Sequence, residues 1–276
     1  MKMLNSLRNN VSEQVKVMEI ENEKIKKLSV ILREQKPLIH CITNHVTVND
    51  CANILLAAGA SPTMAHHPKE VEEVTQGCDS LVCNLGATDD YEAMLIAAKA
   101  ADKSGHPIVI DPVGVGGSGF RREQFWKLTE VSHPACIRGN MSEIQALAHN
   151  KTIVTGVDAA NDGLALAEKD RLVTEFSQKA GCIIVASGAI DIISDGTQCI
   201  HVSAGTPLMT KITGSGCMSS ALIGAYLAVE NSMEAVASAC TVMGRCGELA
   251  EQATKKCQGG TMTFRMLLID EMSKYV

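Results

Sequence analysis

The chain has 276 residues, 46% of them hydrophobic but only 3% aromatic, and carries a net charge of −6. That length supports one large domain or two small ones, burying roughly 75% of the extended surface in an aliphatic core of Ala, Val, Ile, Leu and Met. Scattered Lys and Arg on an acidic chain exclude non-specific nucleic-acid binding, which needs a clustered basic face.

Residues 1–28 are polar and charged with weak helical periodicity. They are read as a helical N-terminal extension running on into SVILREQ, ahead of a single domain over 29–276. From Pro37 onward, short β-rich runs alternate with Ala-rich helical runs. PLIHCIT predicts a strand and VNDCANILLAAG a helix ended by Gly59. SPTMA predicts a short strand and HPKEVEEVTQG a helix. The pattern repeats as DSLVCNLG and DDYEAMLIAAKAADKSG, HPIVIDPVG and FRREQFWKLTEVS, then ACIRGN and MSEIQALAH. GCIIVASGA, IDIISDG and CIHVSAG predict three strands with tight turns, the SDG turn closing an antiparallel hairpin. Two helices follow, MSSALIGAYLAVE and MEAVASACTVMGRCGELAEQAT. Buried strands such as PIVIDP, alternating with helices, argue for α/β layers on a mostly parallel sheet.

The 11 cysteines form no CxxC pair, and most lie inside apolar runs. This is the usage of a reducing compartment, with Cys acting as a small hydrophobe. Residues 1–28 lack the apolar core of a signal peptide, and no apolar run reaches the ~18 residues of a membrane span. The expectation is a soluble, cytoplasmic protein with no membrane partner.

Two glycine loops stand out. GVGGSG, Gly114 to Gly119, formally matches a dinucleotide-binding fingerprint, but its strand ends in Asp-Pro and no acidic residue closes a next strand. A P-loop is excluded because GK[ST] is absent. A surface loop, or one closing over a ligand, remains open for this segment. TGSGC at 213–217 precedes a helix that is apolar nearly all round and hence buried. The end of such a helix leaves N–H groups that need partners, and Gly214 and Gly216 let an anion approach the backbone. The competing reading is a turn capped by Thr213 or Ser215. Cys217 at this helix end is expected to have a lowered pKa through the helix dipole, or to be an inert packed thiol.

Open α/β sheets bind ligands outside the carboxyl ends of their strands. That edge carries Asn44, Met64, Asn84, Asp111, Arg138, Asn140 and Ser187, with Glu143 one helical turn beyond Asn140. Two carboxylates, an arginine and an anion-ready helix end suit phosphoryl transfer, with Asp and Glu holding Mg²⁺ directly or through water. A local role is equally open for Asn140 and Glu143, which have the spacing of a capping box. His40 and His45, or His66 and His67, have the wrong spacing for a structural zinc site.

In order and spacing, PLIHCITNHVTVNDCANILLAAGASPTMAH, DPVGVGGSGFR, IRGNMSEI and KITGSGC resemble the hydroxyethylthiazole kinases, a thiamine-salvage branch of the ribokinase-like superfamily. The resemblance spans roughly residues 30–270. It implies a three-layer ribokinase-like α/β fold, with helices on both faces of a mostly parallel central sheet. The implied reaction is ATP- and Mg²⁺-dependent phosphorylation of the hydroxyl of 4-methyl-5-(2-hydroxyethyl)thiazole, in a homotrimer whose thiazole site draws on two subunits. The resemblance puts Met64, Gly214 and Asn44 at the thiazole. It puts Arg138, Ser187 and Asn140 at ATP, and Asp111 and Glu143 near phosphate and Mg²⁺. Cys217 takes the place where most ribokinase-like kinases carry an Asp base, which implies a weak base or a positioning group. Ser187 stands where family members often carry Thr. Residues 1–28 have no counterpart. A cysteine hydrolase and a non-catalytic thiazole or nucleotide sensor are the readings from other classes.

Overall fold

A computed structural model describes residues 16–18, 20–152 and 163–275. The chain runs β1 (Lys16–Met18), α1 (Asn22–Gln35), β2 (Leu38–Ile42), α2 (Val48–Ala58), β3 (Ser61–Thr63), α3 (Val71–Gln76), β4 (Ser80–Asn84) and α4 (Tyr91–Ser104). It continues β5 (Ile108–Asp111), α5 (Gly119–Val131), β6 (Cys136–Asn140), α6 (Met141–His149), α7 (Leu166–Ala180), β7 (Ile183–Ser187), β8 (Asp191–Ser194) and β9 (Gln198–Val202). A 3-10 turn at Pro207–Lys211 leads into α8 (Ser215–Val229), α9 (Met233–Lys256) and α10 (Thr261–Lys274).

Among the described residues nine strands form one sheet, in the order β1-β9-β8-β7-β6-β5-β4-β2-β3. Every pairing is parallel except those of β8 with β7 and β9. The period-2 alternation of the strands sorts their side chains into two cores. Ile39, Val82, Val109, Cys136 and Val185 face the layer of α1, α2, α8, α9 and α10. Ile42, Leu81, Cys83, Ile110, Ile137 and Ile184 face the layer of α4, α5, α6 and α7. The expected hairpin is present, with Gly196 of the SDG turn at φ 89.

The N-terminal stretch departs in part from the helix expected over residues 1–28 and on into SVILREQ. Lys16–Met18 pairs in parallel with β9 and the helix begins only at Asn22, but it runs through SVILREQ to Gln35 as expected. Ile25, Leu28 and Leu32 share one face and are buried, so α1 packs into the core as a working layer. Residues 1–15 lie outside the described residues. Two helices had no sequence expectation. The buried face of α7 is largely polar: Asp170 meets His201 at 2.7 Å and Thr174 lies 3.3 Å from Cys199, so its apolar stripe is thin. α10 buries Phe264, Leu268 and Met272 while exposing Met262 and Met266, which blurs its period.

α8 is buried along its length from Met218 to Leu227 and lies directly on the sheet. Gly224 makes this approach possible, since a Cβ there would stand 2.6 Å from Val82 Cγ2. Gly224→Ala is therefore expected to lower stability by about 1–3 kcal/mol through overpacking, read as a reduced urea midpoint. Val82→Ala in the same chain should recover part of the loss, and two additive losses would contradict this contact.

Candidate active site

The order of the strands creates a switch point. From β2 the chain moves outward to β3, then returns to the other side of β2 as β4. The connecting helices α2 and α4 lie on opposite faces, which opens a crevice at the carboxyl ends of β2 and β4. Asn44 follows β2, Asn84 ends β4 and Asp111 ends β5, so three polar residues meet beside that crevice.

They form one hydrogen-bonded chain. Asn44 Nδ2 donates to Asn84 Oδ1 at 3.3 Å, and Asn84 Nδ2 donates to Asp111 Oδ2 at 2.9 Å. Ser220 Oγ, from the second turn of α8, donates to the same Asp111 oxygen at 2.8 Å. Cys217 stands over this chain, its Sγ 3.2 Å from Asn84 Nδ2 and 3.5 Å from Asn44 Nδ2. Ser220 carried no expectation, because a serine in a small-residue helix looks like packing. Its spacing of three from Cys217 was the available signal.

The N-terminus of α8 supplies the second half of the site. Gly214 is its N-cap at φ 87, a left-handed conformation suited to glycine, and no side chain caps the helix. The reading in which Thr213 or Ser215 caps the turn is thereby set aside. The first intrahelical bond runs from Met218 N to Gly214 O, leaving the N–H groups of Ser215, Gly216 and Cys217 without partners among the described residues. Arg138, reaching up from β6, packs against this turn. Its Nη1 lies 2.7 Å from where a Cβ on Gly216 would stand. Arg138 Nε is buried and makes no hydrogen bond among the described residues. A buried guanidinium donor and three N–H groups without partners among the described residues gather on one turn, a donor set suited to the oxygens of an anion.

The two carboxylates carry unfavourable charge. Burial pushes Asp111 above the ordinary carboxylate range, with Arg138, Ser220 and Asn84 working against it. Burial also raises Glu143, and the Asp111 carboxylate raises it further. Glu143 accepts from Gly114 N at 2.8 Å through Oε1 and from Asn140 N at 2.9 Å through Oε2. Asn140 Oδ1 in turn accepts from Glu143 N at 2.9 Å and from Ser142 Oγ at 2.7 Å. The capping box is thus real, and through Gly114 it also anchors the glycine-rich loop after β5. No group of three metal-binding side chains occurs among the described residues. With every Glu143 oxygen and one Asp111 oxygen already accepting, the pair fits a cation that keeps most of its own waters, as Mg²⁺ does.

The remaining predicted residues lie on the same edge but outside the network. Ser187 ends β7 in register with Asn140, its Oγ donating to Gly139 O at 3.2 Å. Met64 follows the edge strand β3, one strand beyond Asn44, and packs against the core on the α8 side.

Comparison with known proteins fits this arrangement. The hydroxyethylthiazole kinase family model matches residues 29–276. The chain belongs to the hydroxyethylthiazole kinase family. It is 44% identical to hydroxyethylthiazole kinase 1 of Methanosphaera stadtmanae over 264 residues, covering 91% of this chain and 93% of that one. The solved hydroxyethylthiazole kinase protein of Pyrococcus horikoshii is 33% identical, with a TM-score of 0.81 over 91% of this chain and 93% of that one. A ribokinase-like superfamily protein of Enterococcus faecalis shares the fold at 15% identity, with a TM-score of 0.62 over 94% and 96% of the two chains.

The Cys217 thiol departs from the lowered pKa expected at a helix end. Burial raises it first and the Asp111 carboxylate adds to this, outweighing the hydrogen bonds from Thr47 and Asn44 and the charge of Arg138. It is a neutral thiol near neutral pH. Iodoacetamide at pH 7 should therefore label the exposed Cys257 well before Cys217. Labelling of Cys217 should then rise about tenfold per pH unit as thiolate forms. Peptide mass spectrometry checks this, and Cys217 reacting first at pH 7 would contradict the neutral thiol.

Proposed function

We propose that this protein transfers the γ-phosphoryl group of ATP to the hydroxyl of 4-methyl-5-(2-hydroxyethyl)thiazole, forming its phosphate monoester for thiamine synthesis. The observation that carries the reading is the uncapped first turn of α8 facing the unpartnered guanidinium of Arg138. Such a cradle matches a transferring phosphoryl group, whose charge spreads over its equatorial oxygens. Family membership supports the identity of the acceptor.

In this reading Arg138 and the N–H groups of residues 215–217 neutralise charge on the phosphoryl oxygens. Ser187 and Asn140 border the nucleotide, Asn140 by holding α6 and Glu143 in place. Asp111 and Glu143 would hold a hydrated Mg²⁺, which would supply positive charge to offset that of the phosphates. Met64, Gly214 and Asn44 orient the thiazole. Cys217, kept neutral and hydrogen-bonded by Asn84 and Asn44, positions the attacking hydroxyl. A loose transition state needs little deprotonation of an alcohol, so a weak base suffices there.

Incubation with ATP, Mg²⁺ and hydroxyethylthiazole should yield the phosphate monoester by mass spectrometry, and its absence would sink the proposal. Arg138→Ala is expected to lower kcat/KM by on the order of 10³-fold, while Cys217→Ala stays within about tenfold of the parent. Equal losses would reverse the assignment of charge neutralisation over base catalysis.

We further propose a cytoplasmic homotrimer whose thiazole site is completed by a neighbouring subunit. All eleven cysteines are free, in keeping with a reducing compartment. Apolar side chains stand exposed on two neighbouring helices: Leu56 on α2, and Met262 and Met266 on α10 at 62% and 60% exposure. Val46, just before α2, is also exposed. Light scattering should give three times the 29.4 kDa chain mass. Met266→Glu should shift the protein to smaller species with a raised KM for the thiazole. A monomeric parent would refute the trimer.

A further inference from the structure

His40 lies in β2 with no exposure to solvent, and the Cys217 network does not use it. A buried imidazole is costly unless both ring nitrogens find partners. Nδ1 lies 2.8 Å from Thr75 Oγ of α3, and Nε2 lies 2.8 Å from the Ala65 carbonyl oxygen. A carbonyl only accepts, so Nε2 carries a proton and donates it. Burial lowers the pKa of the ring more than the Ala65 bond and Glu70 raise it, which favours the neutral form. The tautomer is then fixed by Ala65, and the single Thr75 hydroxyl proton is shared between the unprotonated Nδ1 and the Val71 carbonyl oxygen, which lies 2.5 Å from Thr75 Oγ.

The place of that bond gives it meaning. β3 has three residues and is the edge of the sheet. Its register with β2 ends at the pair His40↔Thr63. Met64 and Ala65 follow as the chain leaves the ladder. The His40 ring reaches past the last paired position to take hold of Ala65, the residue next to Met64. Through Thr75 the same ring is tied to α3, the element that the loop leads into. One buried side chain thus spans both ends of the segment from Met64 to α3.

We propose that His40 is a positioning residue for the acceptor substrate, setting the Met64 backbone through the Nε2–H bond to the Ala65 carbonyl. This rests on the reading that Met64 holds the thiazole. Arg138, on the nucleotide side, stands on β6, separated from β2 by β4 and β5. The effect of His40 should therefore fall on one substrate alone.

Two isosteric changes separate the two ring nitrogens. His40→Asn keeps an amide near the Nδ1 position and cannot reach Ala65. His40→Gln carries its amide to the Nε2 position. His40→Asn is expected to raise the thiazole KM about tenfold while kcat and the ATP KM stay within about twofold. Amide hydrogen exchange in peptides covering residues 61–67 should quicken in the same variant. His40→Gln should remain near the parent in both readouts. Should His40→Asn fail to fold, Thr75→Val gives the second arm. It leaves the Ala65 bond in place, so the thiazole KM should stay within about twofold of the parent, and a tenfold rise would overturn the proposal. Equal impairment by Asn and Gln, or a loss shared by kcat and both KM values, would also overturn it. A parent enzyme that does not turn over the thiazole would fail the functional reading instead. The Asn-against-Gln difference in exchange would then still decide whether His40 holds the Met64 segment.

Discussion

The site depends on a helix that begins without a cap. α8 is buried along most of its length and its first turn has no side-chain partner. The first turn, from Ser215 to Cys217, is half-buried, and its unpaired backbone N–H groups are free to donate to oxygens that approach it. Arg138 adds to these donors, because its buried Nε also lacks a partner among the described residues. Donors of this kind, gathered on one turn with a positive charge beside them, attract an anion with several oxygens. Gly214 and Gly216 are required for the geometry itself. Gly214 sits at φ 87, and a side chain on Gly216 would occupy the space of the Arg138 guanidinium.

Around this cradle the charges are arranged in opposition. Asp111 is buried and raised in pKa, with the charge of Arg138 pulling the other way. Glu143 is raised as well, though two backbone N–H groups bond to it. Each such buried carboxylate is costly to hold in its charged form. Cys217 fits the same logic. Half-buried beside Asp111, its thiol is raised in pKa, so the local field opposes a thiolate nucleophile.

Much of the architecture was legible in the chain because its signals are local. Runs such as PIVIDP and CIIVAS read as buried parallel strands, Gly59 ends α2 in the left-handed conformation, and the SDG turn closes the hairpin. The elements that escaped were those whose burial is polar or unpatterned. α7 buries Asp170, Thr174 and Ser177 beside Val173 and Phe176, so its apolar stripe is thin. α10 is apolar on both its buried and its exposed sides. α1 looked like part of a charged extension because its buried residues, Ile25, Leu28 and Leu32, sit among lysines and glutamates. The N–x–x–E spacing of Asn140 and Glu143 left two readings open, and both bonds of the capping box are formed.

What the sequence by itself determined is the set of participants: strand-end Asn44, Asn84, Asp111, Arg138 and Ser187, and a glycine turn before an apolar helix. Alternation and turn chemistry act over a few residues, so they are written in the chain directly. Tertiary structure alone decided how those participants meet. Folding brought Ser220 to Asp111 across 109 positions, set the Arg138 guanidinium against Gly216, and left the α8 turn uncapped. It also reversed the expected direction of the Cys217 pKa. Desolvation and a neighbouring carboxylate depend on three-dimensional surroundings, whereas the helix dipole could be read from position alone.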